Sequence, residues 1–73
     1  MKLQPTDAVL NAAVDWGHAK LREERVWEAL KAATYPPEID ALREEHRVAR
    51  EALAKAWKAF DDAHTAWDLE ARQ

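Results

Sequence analysis

Residues 39–67 read IDALREEHRVAREALAKAWKAFDDAHTAW. Within this stretch Ile39, Leu42, His46, Ala49, Leu53, Ala56, Phe60, Ala63 and Trp67 follow one another in alternating steps of three and four. That is an a/d heptad seam, the pattern that keeps one stripe of an α-helix against a partner helix. After Leu42 its d positions are the alanines 49, 56 and 63, and a second alanine series, Ala52, Ala59 and Ala66, runs beside them. A partner helix can approach such a stripe more closely than it could over leucine, while Leu53, Phe60 and Trp67 fill the layers between.

Working outward, Tyr35-Pro36-Pro37 marks where this helix begins. Consecutive prolines push the residues before them into extended geometry and stop any helix arriving from the N-terminal side. Pro37 itself suits a first helical turn, where its missing N–H costs nothing, and Glu38 and Asp40 complement the positive end of the dipole. The expected second helix runs over about 37–72 and the first over about 6–34, with Thr6 and Asp7 placed to cap its start. A connection this short makes the two antiparallel neighbours. Sixteen Ala, one Gly and no Ser reinforce the all-α reading and leave no credible strand.

The first helix is less regular. Leu10, Val14, Gly17 and Leu21 lie on one face, whereas Val26, Leu30 and Ala33 lie nearly opposite. One stripe cannot serve both halves, so either the segment breaks near 17–24 or it stays straight and meets different partners with its two halves. The expected fold is a single domain over residues 1–73, a long antiparallel helical hairpin that dimerises into a four-helix bundle. The alternative is a three-helix bundle with the break near 17–24.

Size supports the expectation of a second copy. A chain of 73 residues buries only roughly 60% of its unfolded surface. Without cysteine it has no disulfide or thiolate metal site to compensate, which leaves helix packing and oligomerisation. Eleven basic and fourteen acidic residues are interspersed, so there is neither a basic arm nor an acidic tail. The stretch Met1 to Pro5 lacks the apolar run of a signal peptide, and no run of about 18 apolar residues occurs anywhere. A cytoplasmic protein is expected.

Four tryptophans are the compositional anomaly. Trp16 and Trp27 are eleven residues apart, about three helical turns, and share a face. Trp67 lies on the second-helix seam and Trp57 on its flank. Either they fill a core short of other bulky residues, or they form the contact surface for a partner, where Trp is enriched. The partner-binding set expected is Trp16, Trp27 and Trp57 with Val26 and Leu30. His46, a polar residue at a seam position, reads as a register-setting group that hydrogen-bonds across the interface. If it is buried and unpaired, protonation near about pH 6 loosens the assembly.

Asp61, His64 and Asp68 share a face at metal-ligand spacing, but such spacing arises readily in a charged helix and no metal or other cofactor is expected. Arg43, Arg47, Arg50 and Lys58 share a flank that could follow a phosphate backbone, although Asp40, Glu44 and Glu51 stand beside them. No Ser, no Cys and three Thr leave few nucleophiles, and a single Gly excludes a glycine-rich phosphate loop. In size and style, rather than in any motif, the chain resembles the small helical proteins encoded by phages and mobile elements, which often act by binding a host protein. The function expected is a non-enzymatic protein–protein interaction module, an accessory protein or inhibitor; the alternative is a nucleic-acid-associated regulator using the Arg flank.

Overall fold

A computed structural model describes residues 5–72. The N-terminal stretch read for a signal peptide lies outside them in residues 1–4, as does the Thr6 side chain read as a cap. Two helices make the fold: α1, Pro5–Ala32, and α2, Pro36–Ala71. They pack along their lengths as a rod 56 × 17 × 17 Å, with no strand among the described residues. At 1.5 Å per residue the 36 residues of α2 account for the long axis. No helix of the described residues is long and apolar enough to cross a membrane.

The turn is built as the proline pair requires. Tyr35 is extended, with φ −88° and ψ 120°, and Pro36 and Pro37 occupy the first helical positions. No side chain caps this end. Two of the four N–H groups a helix start leaves unpaired are absent because prolines stand there, and the Ile39 N–H donates to the Tyr35 carbonyl at 3.0 Å. α1 ends at Ala32, two residues before the boundary expected, because the reversal occupies residues 33–35; there the Ala33 N–H donates to the Leu30 carbonyl at 3.3 Å.

α1 is continuous, and this corrects the reading of its faces. There is no break near 17–24, so the three-helix alternative does not hold. Val9, Ala12, Trp16, Ala19, Glu23, Val26, Leu30 and Ala33 are all buried or half-buried, again in alternating steps of three and four. α1 therefore supplies the α2 seam with a partner along its length and does not change face. The larger apolar residues of its first half, Leu10, Val14 and Leu21, point to solvent. Val9, Trp16, two alanines and one glutamate take the inner positions of that half instead, because a long rigid helix can present only one stripe to a neighbour that is equally straight.

On α2 every seam residue from Ile39 to Ala63 is buried or half-buried, and Trp67 is exposed. Ala49 has 0% exposure and Val26 has 8%; no other described residue is classed as buried. The core therefore sits in the half of the rod nearer the turn, where an alanine lets the helices close. A two-helix layer cannot enclose more.

Candidate functional site

Two clusters occupy one long edge of the rod, where the flank of α2 meets α1. The first is polar and lies in the half of the rod nearer the turn. His46 Nε2 lies 2.8 Å from Glu23 Oε1, with both side chains largely shielded from solvent. The Trp27 ring covers the imidazole at 5.2 Å between centroids. Lys31, one turn on, places its ammonium 5.9 Å from the Trp27 ring. The seam histidine is thus paired across the interface, and the condition under which protonation would loosen the assembly is not met.

The second cluster is aromatic. Trp16 of α1 meets Trp57 of α2 at 5.7 Å, and from Trp57 the rings continue along α2 to Phe60 at 5.7 Å, His64 at 6.1 Å and Trp67 at a further 5.7 Å. All are tilted arrangements within the range that favours ring pairs. Steps of three and four keep these α2 rings on one side of the helix. Lys20 sits 5.8 Å from the Trp16 ring. Beyond Trp67 the surface dips into an apolar depression of about 240 Å³ lined by Val9, Leu10, His64 and Trp67. Trp57 is 51% exposed, and Trp27 and Trp67 are exposed as well.

The partner-binding set expected from the sequence is only partly assembled on this edge. Trp16 and Trp57 touch, and Trp27 lies three turns along, against His46 instead of another tryptophan. Val26 is buried in the interhelical seam and offers no free surface, and Leu30 is half-buried there. The sequence reading missed Glu23 altogether. It stands eleven residues before Thr34 as His46 stands eleven after Tyr35, so a tight turn alone pairs them, but counting only apolar residues hid a seam that passes through a carboxylate. His64 was read for metal chemistry and belongs to the ring ladder.

The Arg flank is largely engaged within its own helix. Arg47 grips Glu44 through two hydrogen bonds, Nη2 to Oε1 at 2.5 Å and Nε to Oε2 at 3.0 Å, and reaches Glu51 with Nη1 at 2.5 Å. Lys58 pairs with Asp62 at 3.2 Å. Arg43 and Arg50 have no carboxylate partner among the described residues and line, with His46 and Arg47, a shallow depression of about 420 Å³. Asp61, His64 and Asp68 do not gather, since Asp68 binds Arg72 at 3.2 Å, and no metal-holding group of three occurs among the described residues.

The Arg47 contacts have a pH signature. Its hydrogen bonds, and then its charge, hold the Glu44 carboxyl below the ordinary carboxylate range, while Glu44 raises Arg47 above its usual value. A depressed carboxylate contributes stability above its ordinary value and loses it as pH falls through the lower folded one. Full exposure keeps that contribution small. NMR titration should find the Glu44 midpoint below that of an unpaired glutamate, and Arg47→Gln should return it to the ordinary range. A midpoint that Arg47→Gln leaves unmoved would show that the bidentate contact does not form in solution.

No family model, no curated protein and no solved structure matches the chain. What it can do has to be read from its own surface.

Proposed function

We propose that the protein is a non-enzymatic interaction module that self-associates as a homodimer and presents its aromatic edge to a protein partner. The observation that carries this reading is the allocation of the tryptophans. Among the described residues only Val26 and Ala49 are buried, and the larger seam residues such as Leu42, Leu53 and Phe60 are half-buried, yet Trp27, Trp57 and Trp67 stand exposed beside them. A chain short of core residues that leaves three of its largest apolar side chains at the surface is spending them on an external contact, since Trp dominates protein interfaces. The ridged ring ladder and the adjoining apolar depression suit an amphipathic helix laid along the edge. Arg43 and Arg50, which lack carboxylate partners among the described residues, favour acidic residues on that helix's flank. In this reading the module works in the cytoplasm without a cofactor, in the manner of small phage or mobile-element proteins that bind a host protein.

Capture from an extract of the native host by the tagged protein, with the captured species identified and its affinity measured, tests the reading. Trp57→Ala should weaken that affinity by about thirtyfold or more, the loss expected of an interface hot spot, and leave helicity unchanged by circular dichroism. Undiminished affinity in both Trp57→Ala and Trp67→Ala would refute the edge as the contact. Loss of helicity in Trp57→Ala would assign the ring to the fold instead.

A further inference from the structure

The outer face of α1 carries an apolar stripe that the hairpin does not use. Leu10, Val14 and Leu21 are 63%, 55% and 45% exposed, and Gly17 lies among them, all on the side of α1 opposite its seam. Gly17 is unexplained by the hairpin itself. A glycine inside a helix is destabilising relative to alanine. Here it has no positive φ, and a Cβ added to it would meet nothing within 4 Å. Neither backbone conformation nor a close approach within the chain calls for it. A close approach from outside the chain would account for it.

We infer that this stripe is the surface through which a second copy of the chain docks, an inference that rests on the self-association proposed above. The steps from Leu10 to Val14, Gly17 and Leu21 are four, three and four, and they read the same in either direction. Two copies of α1 laid antiparallel about a twofold axis between residues 14 and 17 therefore match themselves. Leu10 faces Leu21 of the second copy and Val14 faces its Gly17, a large group over a vacant position twice over. Such self-complementarity is what a twofold interface requires, since each copy offers the same patch.

The exposed area is enough for such an interface. The chain leaves 5846 Å² accessible, whereas a compact protein of 8.4 kDa exposes roughly 4,600 Å². The excess, about 1,200 Å², exceeds the ~800 Å² per partner that a standard interface covers. The four helices then form a layer with the two α1 helices inside and the tryptophan ladders at its outer edges; Leu10, which also lines the depression beyond Trp67, is taken by the second copy, and the protein partner is left the ladder itself.

Sedimentation equilibrium over a wide concentration range, with circular dichroism on the same samples, tests this. The unmodified chain should approach twice its 8.4 kDa mass. Val14→Lys and Gly17→Gln should each raise the dissociation constant by about tenfold or more without loss of helicity. Gly17→Gln should at the same time make the hairpin itself more resistant to heat, because glutamine is the better helix former and finds open space. A chain that stays at the monomer mass throughout would overturn both the inference and the self-association beneath it. A dimer whose affinity neither substitution changes would overturn the stripe alone and leave self-association through another face.

Discussion

Ala49→Leu is expected to lower the melting temperature of the hairpin by roughly 4–24 °C. Ala49 is fully enclosed between the helices, and the seam there closes over a methyl group. Three further carbons can be housed only by prising the helices apart or forcing the side chain off its preferred rotamer, at a cost of about 1–3 kcal/mol. In a domain of this size each kcal/mol moves the midpoint by about 4–8 °C. The loss matters more than usual because the described residues classed as buried are just Val26 and Ala49, and small domains are only marginally stable. Ala59→Leu is the control, since Ala59 is exposed on the same helix and the substitution should fall within about 0.5 kcal/mol of the parent. Thermal melts followed by circular dichroism distinguish the two. Equal midpoints would mean that the helices do not approach closely at position 49.

The second large effect is expected at the Glu23–His46 pair. His46→Leu removes the partner of a shielded carboxylate and should cost about 1–3 kcal/mol, the penalty for leaving such a group unsatisfied. Glu23→Leu removes the charge instead and leaves an imidazole that is neutral when unprotonated, so its cost should be smaller. Replacing both with leucine should recover the loss or exceed the parent's stability, because apolar packing often outperforms a buried polar pair. What the double variant gives up is register. Alanine recurs at heptad spacing in the α2 seam at 49, 56 and 63, and the 2.8 Å contact between Glu23 and His46 distinguishes one alignment of the helices from a slip by a heptad, the role polar seam residues fill in coiled coils. A thermodynamic cycle over the four proteins should give a coupling of about 0.5–3 kcal/mol. Additive effects would mean that the contact is incidental.

The same pair shows where reading residues one helix at a time fails. The α2 seam was legible from Ile39 to Ala63 because its own residues are apolar throughout, with His46 as one polar interruption. The α1 seam was not, because Glu23 interrupts it and stronger hydrophobes lie outside it. Hydrophobic periodicity detects the greasiest stripe on a helix, and on the first half of α1 that stripe is Leu10, Val14, Gly17 and Leu21. The buried stripe is Val9, Ala12, Trp16 and Ala19. Alanines score weakly as hydrophobes yet suit a close interhelical contact well. Of the partner surface, the tryptophans could be named from composition, but their ladder could not. It depends on Trp16 reaching Trp57 from the other helix, and on Phe60 and His64 bridging Trp57 to Trp67.

By itself the sequence determined helix content, the position of the turn and the antiparallel arrangement. Proline stereochemistry, alanine propensity and a strict heptad act within a few residues of each other and need no knowledge of the rest of the chain. Which stripe of α1 is buried was decided only by the tertiary structure. Two straight rods joined by three residues have their register set by the turn, and that register brings Glu23 level with His46 and Trp16 level with Trp57. Once α2 had claimed the stripe that meets it at every level, Leu10, Val14 and Leu21 were left on the outside, whatever their own affinity for the interior.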